Sequence, residues 1–164
     1  MRLDEKRRRT AEDAFAALVG QPLSSMWRYA GCQKFEFGEQ KPGKNREGED
    51  TTRADWGLVA NCHWRIEGPE GFALSWEHFG STPERRDGHA DPFYERLETR
   101  PLIVEAVEVR SDGALRFRLS DGFSLAVDLG PPDGDSVERW RFMPPNGDPR
   151  GHLVLEEDDI SWSG

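Results

Sequence analysis

Cysteines and long apolar runs are both scarce in this sequence, and their scarcity excludes two classes of protein. The 164 residues include two cysteines, Cys32 and Cys62, which are too few for the disulfide framework of a secreted scaffold. We therefore expect both to be reduced, small apolar residues of strands. No segment approaches the roughly 18 consecutive apolar residues of a membrane-spanning helix, and the N-terminal residues lack the apolar region of a signal peptide. The sequence thus predicts a cytoplasmic protein with no membrane partner.

Basic residues are outnumbered by acidic ones. Lys and Arg total 22 against 31 Asp and Glu, which gives a net charge of −9. Because nucleic-acid binding depends on clustered cations that contact phosphates, nucleic acid is excluded as the main partner. The one basic cluster, Arg2 with residues 6–9, is diluted by Asp4 and Glu5, and we interpret residues 1–9 as a flexible basic arm. The acidic balance suits a basic protein partner.

Recognisable catalytic and metal-binding motifs are also missing. The four histidines are His63, His78, His89 and His152, and neither an HExxH nor a CxxC spacing occurs. Cys62 and His63 are neighbours on a predicted strand, so their side chains point to opposite faces and cannot exchange a proton. We predict no catalytic residue, no metal and no cofactor. A hydrolase or metalloenzyme that uses His63, His78 or His89 ranks last among the hypotheses.

Large aromatic residues are plentiful by comparison. Six tryptophans and nine phenylalanines carry much of the apolar content, whereas isoleucine occurs three times. A large aromatic side chain can bury about 150–250 Å², so a few of them suffice for a core. The length fits one domain, and we predict that residues 1–164 form it.

Strand patterns dominate the sequence. Apolar residues alternate with others from Trp56 to Ile66, which predicts one strand with a buried and an outward face. Residues 102–129 contain two Ser-Asp-Gly segments, whose glycines supply the positive φ of hairpin turns, between three alternating segments. These segments predict an antiparallel meander.

Helical patterns are few. Thr10–Val19 predicts a helix with Thr10 as its N-cap, and a short second helix begins near Asp91. Residues 39–53 are charged, contain glycine and proline, and include no apolar residue, so we predict an exposed, flexible, hairpin-like loop. The fold class is therefore α+β and mostly β: a curved antiparallel sheet or partly closed barrel with one N-terminal helix and a short second helix.

Two Trp-Arg dipeptides form the candidate binding motif, at Trp64-Arg65 and Trp140-Arg141. If both tryptophans enter the core, both arginines face outward, and His63 shares the face of Arg65. On neighbouring strands, the two guanidiniums could bind one carboxylate or phosphate. In the alternative, each arginine pairs with a cross-strand acid such as Glu105, Glu108 or Glu138.

The segment Trp56–Ile66 resembles the central motif of a family of small bacterial proteins of uncharacterised function. Leu58, Cys62, Trp64, Arg65 and Ile66 match that motif. The sequence departs from it at Val59, where the family has His, and at His63, where it has Pro. Small acidic proteins of this kind are similar to immunity proteins encoded beside secreted bacterial toxins, so the resemblance implies that function class by analogy.

Two function hypotheses follow from these patterns. The first is a protein-binding module, an immunity-like protein that neutralises a basic toxin domain through its acidic surface. The second is a small-ligand-binding, barrel-like domain with a pocket lined by Trp and Phe and gated by residues 39–53. In the first, acidic residues and exposed aromatic residues of loops would face the partner. The candidate ligand-binding residues are Arg65, Arg141 and His63.

Overall fold

Antiparallel strands make up most of the computed structural model, which describes residues 2–29, 32–79, 91–130, 137–157 and 159–164. The two α-helices are α1 (Glu5–Phe15) and α2 (Asp91–Thr99). The strands are β1 (Pro22–Tyr29), β2 (Cys32–Phe37), β3 (Lys41–Lys44), β4 (Asp50–Arg53), β5 (Trp56–Ala60), β6 (Trp64–Glu67), β7 (Ala73–Ser75), β8 (Leu102–Val109), β9 (Leu115–Leu119), β10 (Ser124–Val127), β11 (Glu138–Met143), β12 (Leu153–Glu156) and β13 (Asp159–Trp162).

Eleven of these strands belong to one sheet, in the order β13-β12-β11-β5-β2-β1-β8-β9-β10-β6-β7. All its pairings are antiparallel, and the sheet ends at β13 and β7 rather than closing into a barrel. Strands β3 and β4 pair only with each other in a separate hairpin. The predicted α+β, mostly β fold with a large antiparallel sheet is confirmed.

The sheet must curve strongly, because β5 and β6 are consecutive in the chain but lie six positions apart in the strand order. A flat sheet would separate them by about 29 Å at ~4.8 Å per strand. Only residues 61–63 connect them, and the step from Ala60 to Trp64 spans at most about 14 Å. The two halves of the sheet are therefore brought face to face around the core.

The predicted single strand from Trp56 to Ile66 is wrong in one respect, since it divides into β5 and β6. The chain changes pairing partners at the break: the Asn61 N–H donates to the Arg139 carbonyl at 2.8 Å, and the His63 carbonyl accepts the Asp128 N–H at 2.7 Å. The alternation of buried and outward-facing side chains nevertheless continues through the break. Buried on the inner face are Leu58, Ala60, Cys62, Trp64 and Ile66.

The meander predicted for residues 102–129 is present as β8, β9 and β10, paired in sequence order. Asp121 and Gly122 both have positive φ, of 59° and 79°, at the second turn. Two successive residues in the left-handed region give the turn the same twist as the adjoining strands. An Asp-Gly dipeptide therefore predicts a hairpin turn.

Helix α1 begins five residues before the predicted Thr10. Asp4 is the N-cap, and its carboxylate accepts the Arg7 N–H at 2.8 Å. Thr10 is an interior residue whose hydroxyl donates to the Lys6 carbonyl. Residues 5–9 are thus the first turns of the helix rather than an arm that precedes it. The predicted helix started too late in the sequence. Glu5 forms ion pairs with Arg8 and Arg9 at helical spacing, and these pairs stabilise a first turn that the prediction left out.

The core lies between α1 and the two halves of the sheet. Trp64 and Trp140 are 1% and 0% exposed, as their alternating strands predict. Phe15 of α1 contacts Trp140 and Phe142, with ring centroids 5.4 and 4.7 Å apart. Within the described ranges, no helix is long and apolar enough to cross a bilayer.

Candidate functional site

A groove lies between the exposed β3–β4 hairpin and the outer face of β1 and β2. We call it the hairpin groove; its walls include Trp27, Lys34, Glu36, Gln40, Thr52 and Arg53. Its volume is about 420 Å³, which falls within the ~300–1,000 Å³ range of small-ligand pockets. Strands β3 and β4 are exposed along their whole length, within the segment for which the sequence predicts an exposed, flexible loop; its flexibility stays a prediction.

Two buried polar contacts fix the hairpin above the sheet. Glu36 is 5% exposed, and its carboxylate accepts the N–H of Ala54, just after β4, at 3.3 Å. Gln40, just before β3, donates from Nε2 to the Ser24 hydroxyl at 2.9 Å. The hairpin is therefore attached to the sheet at both of its ends, and the groove lies between these attachments.

Cross-strand register continues the row of Trp27 and Lys34, which line the groove, onto the neighbouring strands. Trp27 of β1 is opposite Lys34 of β2, Lys34 is opposite Val59 of β5, and Val59 is opposite Arg141 of β11. Directly opposite residues of antiparallel strands share a face. The sequence-predicted Arg141 therefore shares a row with Lys34 and Trp27.

Gly57 makes room for the lysine in this row. A Cβ at Gly57 would lie 3.1 Å from Cε of Lys34 and 2.8 Å from Cε of Met143, both at the ends of flexible side chains. Because glycine leaves that space open, the Lys34 side chain extends over β5. Its ammonium lies 5.1 Å from the centre of the Trp27 ring.

Lys34 is a half-buried cation without a hydrogen-bond acceptor or ion-pair partner in the described part of the chain. Burial lowers its pKa, because desolvation disfavours the ammonium; nearby Glu36 opposes this shift and Arg53 adds to it. Arg53, on the hairpin wall, likewise makes no ion pair among the described residues. Two cations therefore line one groove, and no carboxylate of the described residues forms an ion pair with either of them.

The two lysines of the hairpin differ from Lys34. Lys41 pairs with Asp55 at 2.8 Å, which raises the pKa of Lys41, and Lys44 pairs with Asp50. Acids are abundant in this chain, so the absence of a partner at Lys34 is a property of the groove and not of a general shortage of carboxylates.

Arg141 is ion-paired, but its partner Glu138 lies on the same strand, β11, and not across the sheet as the alternative expected. Its Nε and Nη2 donate to Glu138 at distances down to 2.7 Å, which raises the pKa of Arg141, and its Nη1 contacts Nδ1 of His152 at 3.0 Å. Desolvation and the neighbouring Arg141 charge lower the pKa of His152. This cluster lies outside the groove lining, on the same row of the sheet as Lys34.

Arg65 lies elsewhere on the sheet. Strands β6 and β11 are not neighbours, so the geometric condition for a shared anion site of Arg65 and Arg141 is not met. Arg65 pairs with Glu67 at 3.0 Å and with Asp128 at 3.3 Å. Sharing was expected only on neighbouring strands, and strand order depends on tertiary contacts that the two dipeptides do not encode.

His63 stacks on Trp76, with ring centroids 3.9 Å apart and an interplanar angle of 6°. A Cβ at Gly130 would overlap its ring, so the imidazole is enclosed between an aromatic ring and the backbone. Predicted candidate His89 lies outside the described residues. Among the residues that the structure describes, no three metal-capable side chains form a group.

The sequence analysis missed Lys34, Trp27 and Arg53. The alternation in β2 could have indicated that Lys34 and Glu36 face outward while Phe35 and Phe37 face the core. No sequence signal showed that the hairpin would cover them.

The chain matches no protein-family model, no curated protein and no solved structure. The resemblance of residues 56–66 to a bacterial family therefore stays a prediction, and the site's function has to be argued from its chemistry.

Proposed function

We propose that the protein is a small-ligand-binding module whose hairpin groove holds an anion. The observation that carries this proposal is the half-buried Lys34, which has no acceptor among the described residues and lines the groove together with Arg53. A desolvated cation is destabilising unless it is paired, and a bound carboxylate or phosphate would supply the missing partner. The ligand site thus differs from the Trp- and Phe-lined pocket expected from the sequence, since its walls are largely polar.

Trp27 would contact the ligand's apolar or planar part. Its side chain is 38% exposed and lies beside Lys34 at the base of the groove. A ligand with an acidic group and a flat body would satisfy both residues. The net charge of −9 repels anions at long range, so we expect modest affinity that depends on close contacts within the groove.

Titration with benzoate, followed by NMR of the tryptophan indole N–H signals, tests the proposal. Benzoate should shift the Trp27 signal, and the shift should be lost in K34Q and R53Q because each removes one cation of the groove. The matched control is K41Q, whose lysine is paired with Asp55 outside the groove. An unchanged Trp27 signal at millimolar benzoate, or equal binding by K34Q, would contradict the proposal.

The second candidate function is an immunity-like protein-binding module with a basic toxin domain as its partner. The net charge of −9 favours it, because complementary charge accelerates association and selects the partner. The test is binding to a toxin domain encoded by a neighbouring reading frame, measured at low and high salt. Binding that weakens with salt and is unchanged in K34Q would favour this function over the groove.

A further inference from the structure

The hairpin groove contains more than an anion site requires. Ion pairing alone would be served best by a fully charged lysine, yet Lys34 is desolvated and lies near a second cation, Arg53. Both effects favour the neutral amine, whereas Glu36 and the face of Trp27 favour the ammonium. A lysine beside another cation in a desolvated setting is the arrangement that activates an amine as a nucleophile.

Two neighbours of Lys34 have chemistry that complements such an amine. The guanidinium of Arg53 can bind a carboxylate through two parallel hydrogen bonds. Glu36 is two residues along β2 on the same face, about 7 Å away along the strand, and lines the same groove. A carboxylate at that distance can exchange a proton with a group bound at Lys34, directly or through one water molecule.

We propose that Lys34 forms a Schiff base with the carbonyl carbon of a small oxo acid whose carboxylate is held by Arg53. This inference rests on the proposed anion-binding function and names the ligand class of the same groove. The combination of one nucleophilic amine, one bidentate carboxylate partner and one acidic side chain matches a molecule that carries a carbonyl and a carboxylate.

The reaction balances without an oxidant or a cofactor. The Lys34 nitrogen lone pair forms a bond to the carbonyl carbon, and the C=O π electrons move to the oxygen, which takes up a proton. The resulting carbinolamine loses its hydroxyl as water when the nitrogen lone pair forms C=N. Glu36 accepts the proton released from nitrogen and can supply the proton that leaves with the water.

Reductive trapping tests this inference on the full-length protein. Pyruvate with sodium cyanoborohydride, at neutral pH, converts an imine to a stable secondary amine that peptide mass mapping locates. The chain has four lysines, at positions 6, 34, 41 and 44, so peptide mass mapping can compare labelling at every lysine side chain. We expect Lys34 to be labelled several-fold faster than Lys41 or Lys44, whose ammonium groups are paired.

Three variants sharpen the experiment. K34R should remove the fast adduct while it keeps the positive charge, R53Q should slow labelling at Lys34, and K41R should leave that labelling unchanged. The N-terminal amine, with its ordinary pKa near 8, serves as an internal standard for reagent activity. Equal labelling of all four lysines, or labelling of Lys34 that R53Q does not slow, would overturn the inference.

The failure of this inference can be separated from the failure of the proposed function. Pyruvate without reductant is titrated in parallel and followed by the Trp27 indole signal. A shifted signal without a Lys34 adduct means that the groove binds the anion and that the amine chemistry is wrong. An unchanged signal and no adduct overturn both.

Discussion

The hairpin groove and a second charged surface of the same sheet differ in whether their cations are paired with carboxylates of the protein. The second surface, which we call the arginine face, lies on the outer side of β6, β10 and β9, where Arg65, Arg116 and Arg118 surround the small Ala126. Each of its guanidiniums contacts a carboxylate: Arg65 and Arg116 share Asp128, and Arg118 reaches Glu105 at 3.4 Å. In the groove, Lys34 and Arg53 contact none within the described residues.

The difference indicates which surface is prepared for a ligand. Exposed ion pairs contribute little to stability, so the arginine face is explained as an ordinary charged sheet surface. An unpaired, desolvated cation is unfavourable in the free protein, and the groove becomes favourable only when an anion enters. The candidate Arg65 therefore belongs to a self-neutralised surface, whereas Arg141 borders the surface with open charges.

Removal of a core residue beneath both surfaces should have the largest effect. Trp64 is 1% exposed and packs edge-on against Phe35, with centroids 5.4 Å apart. We expect Trp64→Ala to lower the free energy of unfolding by about 3–5 kcal/mol, through lost burial and the cavity it leaves. Urea or guanidinium melts measure this loss. A loss below about 1 kcal/mol would show that the two surfaces do not depend on this core.

Neutralising the shared carboxylate should destabilise the arginine face, whereas no described carboxylate pairs with Lys34 or Arg53 in the groove. Asp128 lies 2.8 Å from Arg116 and 3.3 Å from Arg65, and its side chain is 24% exposed. We expect Asp128→Asn to cost about 1 kcal/mol, with non-additive coupling to Arg116→Ala. Lys34→Gln should leave the free energy of unfolding unchanged or slightly increased, since it removes an unpaired cation. If both variants lost the same free energy of unfolding, the two surfaces would not differ in how their cations are stabilised.

The sequence contained most of the fold and little of the site. Alternation from Trp56 to Ile66 and the two Ser-Asp-Gly turns correctly predicted strands and the meander, because these are local signals. The break at residues 61–63 was not predictable, since it arises where the chain exchanges β2 and β11 for β10 and β7 as partners. The alternation itself is the same with or without such an exchange.

The groove could not be predicted from the sequence, for the same reason. Trp27, Lys34 and Arg141 are distant in the chain and share a row only through the pairing of β1, β2, β5 and β11. Arg53 joins them because Glu36 binds the backbone after β4. Outward-facing positions can be read from alternation, but the strands that become neighbours are set by the whole core.

A methyl group at Gly57 should separate groove geometry from stability. It would meet the ends of Lys34 and Met143, both of which can move, while alanine removes the entropic penalty of glycine in a strand. We expect Gly57→Ala to change the free energy of unfolding by less than about 1 kcal/mol and to weaken the Trp27 response to benzoate. The control is Gly43→Ala on the hairpin, where a Cβ would contact nothing within 4 Å. An unaffected benzoate response in Gly57→Ala would show that the position of Lys34 does not depend on that open space.

The smallest expected effect is a pH dependence at the border of the groove. His152 has a lowered pKa, caused first by desolvation, then by Arg141, with Glu138 opposing and Lys34 adding a smaller repulsion. The unfolded chain, with a histidine pKa near 6.5, then binds a proton more readily than the folded chain, so stability falls as the pH drops below about 6.5.

His152→Gln tests this dependence because glutamine can still accept from Arg141 but does not titrate. Denaturant midpoints of the wild type and the variant, measured between pH 7.5 and 5.5, should diverge toward acid, with the wild type losing more. The direction follows from charge: a protonated His152 would meet the Arg141 guanidinium at the atom that now accepts its hydrogen bond. Parallel pH curves would mean that the cation cluster beside the groove is as well neutralised as the arginine face.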